Sequence, residues 1–441
     1  MNDKEYNYKI LVYPNITYQK DLEKDSYIVV IRNVIKVLNQ LRDDLFFTLI
    51  LPCNLKSLDY LNVEQLILPV PSHPNAMRSH FNFPEIYKLI SWRDNDYDIL
   101  YSHLPEHTTQ LVNMFYNTTN IRPKVIGYCH WYEVPENVSF AKTFFKQNII
   151  GTLEMEECGV NSQWLKNFVI SRARGIFNED IIGSLKKKIQ PHYLGVDLID
   201  RGDTVADKTI LFNHRSDLYT GWNWFIKCMD VLWVKRKDFI VNTTLANIDR
   251  PYIKKVSISD RNEYLNFVKS RYIGVACFDK YSAWSISTTD GLSMGVPYVL
   301  PKRLCYPEMV GNDYPLLYNT ESEFIELIEK LLDNKGFRNS CVLDFSSMKW
   351  ENTVSKWFSN WNIFDSSSYS IPKNWKTGVG NEIINYIHSK GFVLKKDIVK
   401  WRKWGASIPF SPYRNLLRQI DDIVLTKDGY LSKKSMIGRY F

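Results

Sequence analysis

The stretch "STTDGLSMGVPYVLPK", residues 287–302, holds the reading of the whole chain. Ser287, Thr288 and Thr289 precede one acid, Asp290, in the first turn of a short helical segment. Gly295-Val296-Pro297 then stops the helix, and the apolar strand "PYVLP" follows. Any α/β unit needs a helix, a stop and a strand, and that plain reading accounts for the pattern. A sharper reading also fits. A helix N-terminus leaves N–H groups unpaired and carries partial positive charge, so it suits a phosphate. The three hydroxyls add donors. A carboxylate there repels phosphate but suits a ribose diol, because it accepts two O–H bonds. A nucleotide sugar has both parts.

The chain on either side alternates strands and helices. "TESEFIELIEKLLDN" (320–334) reads as a helix capped by Thr320, with Glu323 at the capping-box spacing. "TILFNHR" (209–215), "FIVNTTL" (239–245) and "YIGVACF" (272–278) read as strands, separated by the helical stretches 221–233 and 260–271. The first 200 residues show the same order. "KILVYP" (9–14), "FFTLILP" (46–52), "YDILYSH" (97–103) and "KVIGYCH" (124–130) are strands. A helix spans 25–42, where Ile28, Ile31, Ile35 and Leu38 recur at helical spacing, and Ser162 can cap another. Alternation implies parallel sheets covered on both faces. Two such runs predict an α/β fold with two Rossmann-like domains facing a cleft, where ligands lie beyond the carboxyl ends of the strands. The expected limits are 1–195 and 196–345, with 346–364 packing back on the first domain, a Ser-rich linker at 365–375 and a separate unit at 376–441.

Composition excludes other classes. With 441 residues, 45% hydrophobic and 24% charged, the chain reads as a soluble globular protein of more than one domain. No apolar run reaches about 18 residues, so no membrane span is expected. The polar start runs straight into a strand, which does not suit a signal peptide. Seven scattered cysteines without a Cys-x-x-Cys pair suggest reduced thiols in a cytoplasmic setting and no zinc. Asp94-Asn95-Asp96 has the spacing of a metal-binding Asp-x-Asp, but it precedes an apolar strand instead of following one, so it reads as a solvated turn. No metal is expected.

Charge is concentrated at one end. Residues 376–441 hold thirteen Lys or Arg against five Asp or Glu, an excess equal to the net +8 of the entire chain. Three helical stretches (381–391, 395–405 and 411–423) precede "IVLTKDGYLSK" (423–433), whose Asp-Gly marks a tight hairpin. That is the order of a winged helix-turn-helix. In this reading Tyr413, Arg414, Asn415 and Arg418 face a DNA major groove, and Lys427, Lys433 and Lys434 sit on the wing against the phosphates. A protein-binding winged helix, or a merely solvated basic surface, gives the same pattern.

The motifs together resemble the glycosyltransferases of the GT-B fold, in particular the large retaining group that includes bacterial and phage enzymes. "DGLSMGVPYVLP" is similar to the family's acid followed by a Gly-x-Pro turn, and with "GVNSQWLKN", "HYLGVD" and "ILFNHRSDLYTGW" before it and "YPLLYNTESEFIELIEKLLDN" after it the matches occur in the family's order over residues 8–362. The resemblance implies a nucleotide-sugar donor, UDP being the commonest, bound by Arg215, His214, Ser287, Thr288, Thr289 and Asp290, with Asp290 on the ribose. "VIGYCHWYE" (125–133) resembles the segment that places a histidine against the transferring sugar, so His130 is the first catalytic candidate, with Glu133 and Glu106 to orient an acceptor hydroxyl. Each of the three also reads as an ordinary structural or surface group. Departures are visible: Ser282 stands where the family has a second acid, Thr220 where it has a lysine, and no glycine pair follows the first strand. With the basic tail, the chain resembles phage DNA base glycosyltransferases, which implies a hydroxymethylated pyrimidine in double-stranded DNA as acceptor. A glycan or small-molecule acceptor, and a DNA-binding regulator that senses a nucleotide sugar, are the alternatives.

Overall fold

The computed structural model describes residues 8–15, 25–59, 62–68, 81–90, 97–119, 122–134, 136, 141–202, 205–246 and 248–360, and, toward the C-terminus, 379–390, 392–394, 402–403, 406–407, 423–425 and 429–432.

A seven-stranded sheet forms the first lobe from β1 (Tyr8–Tyr13), β2 (Leu45–Leu51), β3 (Val63–Ile67), β4 (Ile99–Ser102), β5 (Lys124–Cys129), β6 (Glu157–Val160) and β7 (Ile189–Pro191). Its order is β3-β2-β1-β4-β5-β6-β7, and every pair is parallel. The second lobe repeats the plan with β8 (Thr209–Phe212), β9 (Ile240–Thr243), β10 (Ile253–Lys255), β11 (Ile273–Val275), β12 (Tyr298–Pro301) and β13 (Leu317–Tyr318). Its order is β10-β9-β8-β11-β12-β13, again all parallel. In both sheets the chain reverses direction of travel at one point, between β1 and β4 and between β8 and β11. A doubly wound sheet opens a crevice at that point, beyond the carboxyl ends of its strands.

The strands are apolar runs because both faces are covered. One face of the first sheet packs with Leu111, Phe115, Ile149 and Leu165. The other packs with Ile28, Ile31, Ile35 and Leu38, the stripe of the helix Ser26–Leu41, together with Trp350, Val354 and Trp357 of the late helix Trp350–Asn360. The second sheet has its own core around Phe212, Phe225, Met229, Val299 and Ile328.

Capping residues set several helix starts. Ser162 Oγ accepts from Leu165 N, and Thr320 Oγ1 accepts from Glu323 N while the Glu323 carboxylate accepts from Asn319 N at 2.6 Å. The strands β3 and β10 and the helices Phe83–Leu89, Ala141–Glu154 and Glu179–Lys188 complete the crossovers without a strong sequence pattern.

In the C-terminal part, the helix Val379–Lys390 is followed by β14 (Phe392–Leu394), β15 (Arg402–Lys403), β16 (Ala406–Ser407), β17 (Ile423–Leu425) and β18 (Gly429–Ser432). β14, β18 and β17 form an antiparallel sheet in that order, so the two strands expected on either side of the Asp-Gly turn pair with each other. The helix expected over 395–405 is corrected: Arg402–Lys403 pairs antiparallel with Ala406–Ser407. Gly405, the poorest helix former after proline, stands between those two segments and disfavours a continuing helix. The groove and wing candidates Tyr413, Arg414, Asn415, Arg418, Lys427, Lys433 and Lys434 lie outside the described residues, as do Asp94–Asp96 and the linker 365–375.

Candidate functional site

The two crevices are joined by contacts between the lobes. Glu308 of the second lobe accepts from Gln163 N at 2.6 Å, Trp164 N at 2.9 Å and the Tyr193 hydroxyl at 2.6 Å. It thereby caps the helix Gln163–Arg174 of the first lobe from outside that lobe. Ser162 Oγ donates to the Ala283 carbonyl at 2.8 Å. Trp131 packs edge-on against Tyr219 and Tyr281, both from the second lobe.

On the first wall, β4 and β5 end side by side and deliver His103 and His130. Their rings stack at 5.8 Å and 26°. Neither ring nitrogen of His103, nor Nε2 of His130, has a hydrogen-bond partner among the described residues. Burial pushes His103 down to about 3 and holds His130 well below the ordinary histidine value, with His103 adding to the effect. Both imidazoles are therefore neutral near pH 7. Tyr27 meets the His130 ring edge-on at 4.6 Å.

Tyr27 follows Asp25, which caps the helix Ser26–Leu41 by accepting from Tyr27 N. Burial pushes the Asp25 carboxyl up to about 6, while its own helix amides and Arg215 from the opposite lobe pull it down. Asp25 thus belongs to the cleft. In the sequence it shows only as an acid before an amphipathic helix, the signature of an N-cap.

Glu106 and Glu133 are both buried, and Asn148 links them. Its Nδ2 donates to Glu106 Oε2 at 2.7 Å and its Oδ1 accepts from Glu133 N at 2.9 Å. Beside them the Tyr13 hydroxyl lies 3.1 Å from His107 Nδ1.

The second wall starts where β8 ends. Asn213 Nδ2 donates to the Ser287 carbonyl at 2.8 Å. The His214 ring bonds the Val275 carbonyl, and burial lowers it to about 4. Arg215 is exposed, at the start of a tight loop. Thr220, where a lysine was expected, ties that loop instead: its Oγ1 donates to the carbonyls of Arg215 at 2.8 Å and Asp217 at 2.7 Å. Gly221 follows at φ +73°, and a Cβ there would lie 1.9 Å from the Cys277 carbonyl.

The opening stretch forms the helix Ile286–Ser293, capped by Ser285, so Asp290 is its fifth residue and not part of its first turn. The hydroxyls turn inward. Thr288 Oγ1 bonds Ser285 Oγ at 2.9 Å, and Thr289 Oγ1 donates to the Ser285 and Ile286 carbonyls. Buried Asp290 is gripped by Arg261, whose Nη1 and Nη2 donate to its two oxygens at 2.6 and 2.7 Å. Ser282, at the expected second-acid position, is buried against Tyr306 and Cys305. Sequence reasoning missed Arg261, because it lies on another helix 29 residues away.

The structure thus brings His130 and Arg215 to opposite walls of one cleft, with Asp25 between their elements. It groups Glu106 with Glu133, and it bonds Asn213, the neighbour of His214 in the chain, to the start of the helix Ile286–Ser293. Among the described residues no group of three His, Cys, Asp or Glu side chains is placed to hold a metal ion, and no helix is long and apolar enough to cross a membrane.

No protein-family model and no curated protein matches the sequence. Solved structures do. Sucrose-phosphate synthase from Thermosynechococcus elongatus is similar at a TM-score of 0.60 and 10% identity, covering 80% of this chain and 98% of that one. HepE from Anabaena, solved in complex with UDP and glucose, is similar at 0.59 and 12% identity, with the same coverage. A UDP-forming trehalose-phosphate synthase from Burkholderia xenovorans is similar at 0.55 and 11% identity, covering 80% of this chain and 97% of that one. At such identities the likeness is one of fold. It agrees with the two parallel sheets and their matching strand orders: the chain has the two-lobed α/β architecture of the GT-B fold.

Proposed function

We propose that the protein is a glycosyltransferase that takes a sugar from a nucleotide donor, UDP-linked in the first instance, and attaches it to a hydroxymethylated pyrimidine base in DNA. The observation that carries the transferase reading is the pair of doubly wound crevices facing each other, with neutral His130 on one wall and cationic Arg215 on the other. The UDP named for similar folds supports the choice of donor.

The chemistry follows from the walls. Breaking the bond between the anomeric carbon and the phosphate oxygen sends the electron pair to the diphosphate. Arg215 and the amide end of the helix Ile286–Ser293 meet that growing negative charge, and the sugar passes through an oxocarbenium-like state. His130, kept neutral, both donates and accepts hydrogen bonds, which suits a sugar hydroxyl. Glu106 and Glu133 orient the acceptor hydroxyl, whose oxygen bonds the anomeric carbon while its proton passes to the departing diphosphate oxygen. Ser287, Thr288, Thr289 and His214 contribute mainly by shaping the donor wall, because the threonine hydroxyls are already committed to the helix.

The DNA part of the reading rests on the basic excess of residues 376–441 and on a hairpin sheet beside a helix in the same segment. A duplex base would have to leave the stack to reach the cleft. A glycan or small-molecule acceptor fits the same walls, with the tail serving a partner. A sensing regulator fits them as well.

Hydroxymethylpyrimidine DNA incubated with a panel of nucleotide sugars, followed by mass spectrometry of the digested nucleosides, separates the three. A hexose or pentose mass added to the base is expected. Transfer only to glycan or small acceptors would replace the DNA reading, and nucleotide-sugar-dependent DNA binding without transfer would replace the enzyme reading.

A further inference from the structure

The helix Phe83–Leu89 carries two apolar stripes, and only one of them is spent on the core. Ile86, with Ile90 just past the helix end, is buried in the first lobe. Phe83 and Tyr87 also stand four residues apart, on another face, and are 44% and 47% exposed. Their rings are parallel within 7°, with centroids 6.1 Å apart. Single apolar side chains are ordinary at a surface, but two large rings held parallel make a flat aromatic patch. Pro84 and the Asn82 cap, whose Oδ1 accepts from Glu85 N, fix the turn that carries it.

The patch leads inward. Phe81 meets Phe83 at 6.4 Å, Tyr13 at 6.2 Å and His107 at 5.5 Å, each edge-on. Tyr13 ends β1 on its carboxyl side, and its hydroxyl lies 3.1 Å from His107 Nδ1. His107 follows Glu106 in the chain, and Asn148 ties Glu106 to Glu133. An aromatic path therefore runs from solvent to the two acids proposed to orient the acceptor.

A flat patch of this kind takes either a nucleobase or the apolar face of a sugar ring. Charge and hydrogen bonding favour the base. The one cation of the helix, Lys88, pairs with its one acid, Glu85, at 2.9 Å, so the helix offers phosphate no net charge. A sugar ring needs hydrogen bonds for the hydroxyls around its rim. A base stacks by its face alone and leaves its phosphates to be held elsewhere. Taking a target base out of the duplex also strips its neighbour of a stacking partner, and an aromatic ring restores one.

We propose that Phe83 and Tyr87 form a stacking site for an unpaired base of the acceptor strand, next to the base whose hydroxymethyl group receives the sugar. The proposal rests on the DNA reading of the acceptor. It adds a contact that reads no sequence, since every base has a face to stack.

The test measures the affinity of the full chain, and of the double variant Phe83→Leu/Tyr87→Leu, for a single-stranded oligonucleotide bearing one hydroxymethylcytosine. Each flanking nucleotide is made abasic in turn. Leucine keeps apolar volume and removes the rings, and melting temperature and UDP affinity are expected to match the wild type. Removing one flanking base should cost the wild type roughly tenfold in affinity, and the leucine variant should lose roughly tenfold on the intact strand. The two losses should not add, so that the abasic strand binds both proteins alike. The swap Phe83→Tyr/Tyr87→Phe, which keeps both rings, should bind the intact strand as the wild type does. Losses that add, a leucine variant with wild-type affinity, or a wild type indifferent to every flanking base overturns the stacking site and leaves the DNA reading standing. So does affinity for the duplex with none for the single strand. A leucine variant that binds DNA normally but has a raised KM for a glycan acceptor assigns the patch to a sugar ring instead. A wild type that binds the oligonucleotide in neither single- nor double-stranded form overturns both.

Discussion

His103 and His130 are held neutral by burial at the ends of adjacent strands, and the consequence is measurable. A histidine lowered to about 3 when folded, but ordinary when unfolded, takes up its proton more readily in the unfolded chain. The contribution of His103 to stability is therefore fully present above pH 6.5 and is lost as the pH falls below it. By pH 4 the loss assigned to His103 is about 3 kcal/mol. Urea titrations of His103→Phe between pH 7 and pH 4 are expected to show a shallower acid decline than the wild type. His130→Ala, by contrast, is expected to lower kcat roughly a hundredfold. Its melting temperature should fall as well, because the buried ring packs against Tyr27, Tyr128 and His103, so kcat is read at a temperature where the variant is folded. Gly291 is constrained from the other direction: a Cβ there would lie 2.3 Å from the Tyr298 ring. Gly291→Ala should cost about 1–3 kcal/mol in urea unfolding, the usual range for overpacking.

The helix Gln163–Arg174 starts in one lobe and is capped partly from the other. Its Ser162 cap was legible in the sequence, since a serine before an apolar-periodic run is a standard start signal. The Glu308 contact was not, because residues 145 apart leave no local pattern. Glu308→Ala should destabilise the protein by about 1–2 kcal/mol, as loss of a charged cap does. It should also widen the angle between the lobes in solution scattering, which Ser162→Ala would change less. Element order was legible for a related reason: long apolar runs and 3.6-residue stripes mark the strands and helices that carry the core. Short edge strands such as β3 and β10 have too few buried positions to stand out. In the opening stretch, the segment was legible as a helix, a stop and a strand. Its frame was not, because Ser285, Ser287, Thr288 and Thr289 are all plausible caps, and only the Oγ of Ser285 accepts from Thr288 N. That shift moved Asp290 deeper into the helix and turned the threonine hydroxyls inward.

At the scale of the molecule, two similar lobes supply a cleft, and the proposed DNA acceptor would be held by the basic excess of residues 376–441. A chain ending near residue 375 is expected to keep nucleotide binding and to lose most DNA affinity. For the full chain, log affinity should fall steeply with log salt. Equal DNA binding by both at the same salt would show that the basic segment is not what holds DNA. The two-lobed plan could be read from the sequence because alternation alone dictates it. The proposed donor wall could be read only in part, since Arg215 follows a strand while the Arg261 grip on Asp290 depends on tertiary packing. The most direct measurement is a crystal structure with UDP bound. The account predicts the diphosphate against Arg215 and the start of the helix Ile286–Ser293, with the ribose at Asp290 and the open side facing His130. A nucleotide lodged outside the cleft between the lobes, with Asp290 remote from it, would contradict the account.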